Sequence, residues 1–344
     1  MLTVIDPPDS QWDDFVSRQP RAHVLQFAAW GALKSAYGWS CARVALADRD
    51  GALIAGAQLL FRALPLGLGT MAYLPMGPYA APDHWPALWD AVHRCARQRR
   101  AAFLKWEPGL YLGALPPDCA AWGFVPSAQT VQPPRTVVLD IAADEDTILA
   151  RMNQGTRRKI RQSQKNGVRC YEGAAADAVT FAAMMQTTGT RNAFGVHEPG
   201  YYRLAYDLFV PAGRAALLMA EHDGDPLAGV MAFAAGDTAW YFYGASANIK
   251  RSLMATYGVQ WAAVQWARAR GCRWYDLWGV PDADESALEA QFQQRSDGLW
   301  GVYGFKRGWG GRVVRSIGAW DYVYRPLVYN LYKAALRVRG QGAK

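Results

Sequence analysis

One order of elements is written twice along this chain, and that repetition restricts the folds open to it. In the first half, helices predicted over 10–18 and 27–37, the second ending at Gly38, precede alternating segments at 41–47, 52–61 and 70–74. Asp50-Gly51 marks a hairpin turn between the first two of these segments, and a helix over 85–99 leads to a strand at 103–108. The second half opens with a basic helix over 144–166 and helical stretches at 176–189 and 201–209. Strands at 215–221, 227–234 and 238–243 follow, with turns at Gly224-Asp225 and Gly236-Asp237, and a helix over 255–270 feeds a strand at 272–278. Within that last helix Val259, Ala263 and Trp266 share the core face, while Gln260, Gln265, Arg268 and Arg270 lie elsewhere. The pattern reads as α/β (α+β), a tandem duplication of one unit.

Bulk properties agree with two globular units. A chain of 344 residues exceeds one ordinary core and fits two domains of about 150 residues each. With 51% hydrophobic and only 19% charged residues it excludes the disordered class. The net charge of +8 favours polyanionic partners. Five cysteines are scattered, without a CxxC pair, and read as buried free thiols rather than zinc ligands or a disulfide framework. The start, MLTVIDPPDSQWDDF, has no secretory pattern, and no apolar run reaches the length of a membrane span, so a cytoplasmic protein is expected. Neither GxxxxGK[ST] nor GxGxxG after a strand is present, so the energy of bond making must arrive with an activated donor; no cofactor and no metal are expected.

Four constellations carry candidate chemistry. GVYGFKRGWGG, residues 301–311, sets Phe305, Lys306 and Arg307 among aromatics and glycines, where Lys306 offers a charge for a developing oxyanion or a phosphate; the alternative is a basic surface hairpin. TRRKIRQSQKNG, residues 156–167, spaces Arg157, Arg161 and Lys165 along one helical face, with Ile160 nearly alone to pack it; phosphate or RNA contact competes with a solvated basic face. RNAFGVHEPGYY, residues 191–202, brings His197 beside an arginine and two tyrosines, although a lone histidine is more often structural. In WYFYGAS, Tyr241 and Tyr243 alternate and are expected on one face, as a binding wall or as cross-strand packing.

An antiparallel sheet, a helix and a further strand follow the order of the GNAT acyltransferase unit, and two copies would build a cleft between them. The turn before the main helix, KRSLMATYG, has no glycine ahead of Gly258, which argues against an ordinary coenzyme A site. QFAAWGALKSAYGW, YLPMGP, RRKIRQSQKNGV, YFYGAS, GCRWYDLWG, GFKRGWGG and GAWDYVYRPLVY together resemble the Fem family of peptidoglycan bridge-forming aminoacyltransferases, over nearly the whole chain. The resemblance implies two GNAT-like domains, 1–147 plus 318–344 and 148–317, in a compact form without a coiled-coil arm. It implies transfer of an amino acid from aminoacyl-tRNA to a stem-peptide amine of a UDP-MurNAc-pentapeptide or a lipid-linked peptidoglycan precursor. A GNAT-like N-acyltransferase with another donor, or a non-catalytic RNA-binding or membrane-scaffold protein, are the competing readings.

Carried over residue by residue, the resemblance makes Lys306 and Phe305 catalytic and Lys34 a contact of the precursor's phosphates. Tyr73, Tyr201, Tyr241 and Tyr243 become substrate-pocket residues. His197 stands where an arginine is expected, with Arg191 or Arg203 as substitutes. Arg157, Arg158, Arg161, Lys165 and Arg307 are the tRNA candidates. The C-terminal helix, in which Arg325, Lys333, Arg337 and Arg339 flank an apolar stripe, is expected against the first domain, with peripheral contact at the inner membrane face as its other use. Arg161→Ala is expected to weaken tRNA binding and flatten its salt dependence in a filter-binding titration; an unchanged salt slope would assign the helix to solvent.

Overall fold

The computed structural model describes residues 3–111, 119–192 and 195–341. They form two compact units, Met1–Gln132 with Ser316–Lys344, and Pro133–Arg315. The first begins with strand β1 (Thr3–Ile5), helices α1 (Asp9–Ser17) and α2 (Ala28–Ser35), and strands β2 (Ser40–Ala47), β3 (Leu53–Ala63), β4 (Thr70–Pro75) and β5 (Tyr79–Ala80). Helix α3 (Trp85–Gln98) and strands β6 (Ala101–Glu107) and β7 (Val125–Pro126) follow. The second unit holds β8 (Arg135–Asp140), α4 (Glu145–Arg151), α5 (Gln154–Lys165), β9 (Arg169–Glu172), α6 (Asp177–Asn192) and α7 (Pro199–Phe209). It continues through β10 (Ala215–His222), β11 (Asp225–Ala235), β12 (Thr238–Ser246), α8 (Ala255–Ala269), β13 (Trp274–Gly279), α9 (Glu285–Gln291), α10 (Trp300–Lys306) and β14 (Arg312–Arg315). The chain ends in the first unit with β15 (Trp320–Val323) and α11 (Pro326–Gln341).

The sheets repeat one topology. The first runs β1-β2-β3-β4-β6-β15-β7 with β5 on β3, and the second runs β14-β8-β13-β12-β11-β10-β9. In each, an antiparallel run ends in a parallel pair, β4 with β6 and β12 with β13, and α3 or α8 makes the crossover that such a pair requires. An antiparallel strand then lies beyond: β15 from the chain's end in the first sheet, β8 in the second. The divide between units falls at Gln132/Pro133 rather than near residue 147, because β8 is hydrogen-bonded between β13 and β14. β15 is fastened by a buried ion pair with its register partner, Asp321 Oδ1 to Lys105 Nζ at 2.9 Å, and the Tyr329 hydroxyl of α11 donates to the other carboxylate oxygen at 2.9 Å.

Two local expectations change, and one alternative falls away. The basic helix is broken into α4 and α5: Asn153 caps α5 by accepting from the Thr156 N–H at 2.7 Å, while its own N–H donates to the Gly308 carbonyl at 3.0 Å. Ile160 is not alone, since Thr156 and Ser163 are buried with it where α5 packs on α8; a Cβ on Gly258 would overlap the Ser163 hydroxyl. Residues 301–311 form no hairpin but helix α10 and a 3-10 turn, Arg307–Trp309, closed by Gly310 at φ +78°. The longest helices, α6 and α11, span 16 residues each, so there is no coiled-coil arm among the described residues, and no helix there is long and apolar enough to cross a membrane.

The decisive irregularity is in β12. Its ladder with β11 pairs Met231 with Tyr243 but Ala232 with Tyr241, leaving Phe242 as an inserted residue. Tyr241 and Tyr243 therefore face opposite sides of the sheet, because the bulge breaks the two-residue period. Tyr241 packs into the core under α8, whereas Phe242 and Tyr243 meet Phe233, itself against Phe209 of α7. Gly244 returns to the side of Tyr241, and a Cβ there would overlap the Tyr241 hydroxyl. Gly244→Ala is expected to cost about 1–3 kcal/mol in denaturant unfolding, as overpacked cores do. Its effect should be strongly non-additive with Tyr241→Ala, which removes the clash; additivity would mean that the two sites do not touch.

Candidate active site

Lys306 ends α10 with its side chain inside the protein, only 6% exposed. Nζ donates to the Gly279 carbonyl at 2.7 Å and lies 5.7 Å from the centre of the Tyr241 ring. The space for it comes from the sheet: β12 and β13 pair from Thr238/Trp274 to Trp240/Asp276 and no further, although both strands continue. β13 is itself irregular there, with Trp278 in the left-handed region at φ +61° and a register shift against β8 between Asp276 and Gly279. On the other face the rings of Phe242 and Trp278 lie 4.4 Å apart across the parted strands.

Burial lowers the Lys306 ammonium to a pKa of about 7, against the opposing pull of the Asp276 carboxylate. Asp276 is buried, accepting from the Trp278 N–H at 2.7 Å and from the Thr136 hydroxyl. Desolvation pushes the Tyr241 phenol up to about 12 and holds that of Tyr275 well above its ordinary value. Tyr275 accepts from Gln260 Nε2 at 2.7 Å, so Gln260 of α8 is a buried member of this cluster rather than a surface position, and its Oε1 has no hydrogen-bond partner among the described residues. A primary amine lowered toward neutrality by burial, with the protonated Tyr241 phenol beside it, suits proton transfer. Phe305, half-buried, forms a wall nearby: its ring packs at 5.1 Å on Tyr257 and 5.7 Å on Trp309, and Lys159 donates to the Tyr257 hydroxyl at 3.0 Å.

His197, Tyr201 and Tyr243 come together in a separate aromatic cluster on the α7 side of β12. The imidazole stacks on Tyr201 with centroids 3.7 Å apart, the Tyr201 and Tyr243 hydroxyls bond each other at 3.0 Å, and the His197 backbone N–H donates to the Tyr202 hydroxyl. Arg203 does not join them, because it points off α7 into a two-bond pair with Asp207 at 2.9 Å. Arg191 bonds Ser246 and Asn248 at the end of β12, and Ala193 and Phe194 of that stretch lie outside the described residues. In the first unit, Lys34 lies over the Trp30 ring at 4.7 Å, and burial followed by the Arg62 charge lowers it to about 8. Tyr73 is buried and donates to Glu107, while Gln132 Nε2 donates to the Tyr73 oxygen at 3.1 Å. Burial first, then the Glu107 carboxylate, holds that phenol well above its ordinary value.

Of the basic candidates, Arg158, Arg161 and Lys165 are exposed on α5. Arg157 is occupied, bonding the Met152 carbonyl and the Ala150 carbonyl at the end of α4. Arg307 is likewise engaged, paired with Glu289 and laid over the Phe292 ring at 4.3 Å. Asp276, Tyr275, Gln260 and Thr136 are site residues that the sequence argument passed over. A single carboxylate inside the apolar strand WYDLWG was the signal for Asp276; nothing local marks Gln260. Among the described residues no group of three or more side chains could hold a metal ion.

With this geometry in place, likeness to known proteins is informative. The chain is 24% identical over 401 residues to the lipid II:glycine glycyltransferase of Staphylococcus saprophyticus, covering 94% of this chain and 93% of that protein. The Staphylococcus aureus (strain MRSA252) enzyme of the same name is 24% identical over 403 residues, with the same coverage. The crystal structure of FemX superposes with a TM-score of 0.85 at 23% identity, over 96% of this chain and 99% of that one. A tandem GNAT protein from the clavulanic acid biosynthesis pathway superposes at 0.53 and 14% identity, over 93% and 98%. Both likenesses establish the fold, two GNAT-like domains. The FemAB family matches at residues 8–118, 123–225 and 213–337, and the chain belongs to that family.

Proposed function

We propose that this protein is an aminoacyltransferase of peptidoglycan bridge formation, moving an amino acid from aminoacyl-tRNA to the stem-peptide side-chain amine of a lipid-linked precursor. The observation that carries the reading is the buried amine of Lys306 at the parted strands, in a chain of this family whose relatives over nearly their full length are lipid II:glycine glycyltransferases. The +8 charge and the exposed cations of α5 support a tRNA donor. Tyr201, Tyr243 and His197, and separately Lys34 and Tyr73, are proposed as substrate contacts. For Arg203, Arg157 and Arg307 the intramolecular partners argue against direct contact.

In the proposed step the neutral stem-peptide amine attacks the ester carbonyl of the aminoacyl-tRNA. The tetrahedral adduct loses a nitrogen proton to neutral Lys306. As the carbon–oxygen bond to the ribose breaks, Lys306 returns that proton to the leaving oxygen, so amide and free hydroxyl form with no net proton change. A pKa near 7 lets one amine serve in both directions. Phe305 and the packed rings behind it would exclude water from the ester.

The test is transfer of labelled glycine, alanine or serine from charged tRNA to UDP-linked and lipid-linked muramyl pentapeptides. Lys306→Met, which preserves bulk, and Lys306→Ala are expected to lose about 100-fold or more in rate while still folding. Because the working form is the neutral amine, the wild-type rate should fall as pH drops through about 7. A rate that falls instead above that pH would show that the cation acts, as an oxyanion partner. No transfer with any charged tRNA would overturn the donor.

A further inference from the structure

The first sheet has one end with an unusual surface. The β3–β4 turn, the C-terminal end of α3, the start of β6 and the end of β15 all meet there. Arg325, which precedes α11, ties them together: Nη1 donates to the Leu68 carbonyl at 2.8 Å, and its N–H donates to the Ala102 carbonyl at 2.9 Å. Large aliphatic side chains are left in solvent here, Leu66 at 94% exposure on the turn, Leu327 at 82% and Leu331 at 60% on α11. The two helix leucines are four residues apart and share a face, while Val328 and Tyr329 turn inward to hold α11 on the sheet. Leu66 is held outward by a left-handed backbone, φ 57°, a conformation leucine rarely adopts.

The polar side chains around these leucines are of one sign. Residues 53–82, 91–106 and 322–337, from which this end is built, contain no aspartate or glutamate. Arg97, Arg100 and Arg325 line an open groove of about 480 Å³ floored by Tyr322 and Tyr324, with the Arg97 guanidinium 5.3 Å over the Tyr324 ring. Exposed aliphatics beside arginines match the layered chemistry of a bilayer surface, acyl chains beneath anionic phosphates. A nucleic acid would use the arginines but would leave the leucines in water.

We propose that this end of the first unit docks on an anionic lipid bilayer, Leu66, Leu327 and Leu331 entering the headgroup boundary and the Arg97–Arg100–Arg325 groove taking a lipid phosphate. Docking needs nothing from the transferase reading, although it would bring the enzyme to the plane where a lipid-linked acceptor lies. Its test is flotation of the full chain with phosphatidylcholine vesicles with and without phosphatidylglycerol. Binding is expected with phosphatidylglycerol only, weakening with salt, and about 10-fold lower for Leu66→Ser/Leu327→Ser/Leu331→Ser and for Arg97→Glu/Arg100→Glu, with thermal melting unchanged. Leu327→Trp should shift its emission to the blue on anionic vesicles. Equal binding to neutral vesicles, undiminished binding by the leucine variant, or an unshifted tryptophan would each overturn the proposal. Transfer to a UDP-linked acceptor, unaffected in the leucine variant, reads the chemistry separately.

Discussion

Parallel strands β12 and β13 stop pairing after Trp240/Asp276, and everything that distinguishes the second unit depends on that stop. An ammonium cannot enter a continuous, apolar sheet face without heavy desolvation cost. Here the parted strands expose a backbone carbonyl, that of Gly279, and Lys306 finds in it a hydrogen-bond acceptor inside the core. Two irregularities keep the strands apart: the Phe242 bulge in β12 and the left-handed Trp278 in β13. Each leaves an aromatic ring on the far face, and those two rings meet, closing the gap from behind.

The first unit shows what the same topology does without the stop. There β4 and β6 remain paired through Pro75/Glu107, so no backbone carbonyl is opened between them. A buried lysine occurs in that unit too, Lys105, but it faces a carboxylate and a strand partner, and its role is to fix β15 to the sheet. Duplication thus supplied two copies of a frame, and local backbone irregularity made one of them a candidate reaction site.

Much of the frame was legible. Antiparallel strands, crossover helices and hairpin turns follow from periodicity and Gly/Asp punctuation, and the observed β2, β3, α3, β10 and α8 differ from the expected spans only at their ends. What failed did so at places where a distant contact overrides a local pattern. The break between α4 and α5 depends on Asn153 meeting Gly308, far along the chain. The expected shared face of Tyr241 and Tyr243 rested on strict alternation, and one inserted residue cancelled it. Arg157, Arg203 and Arg307 looked like ligand contacts because sequence shows charge but not the carbonyl or carboxylate already bound to it.

By itself, the sequence determined the duplicated α/β order, which rests on short-range spacing and turn residues, and it carried the motifs of the family resemblance, through which the lysine in GFKRGWGG became a candidate. Only the tertiary structure decided that Lys306 is buried with its amine poised near neutrality, that Gln260 and Tyr275 stand behind it, and that three leucines share one end of a sheet with arginines from separate segments. The reason is physical: burial and opposing or like charge are set by neighbours brought from other elements, 27 residues away for Gly279 and Lys306 and 257 for Leu68 and Arg325, and no local pattern encodes them.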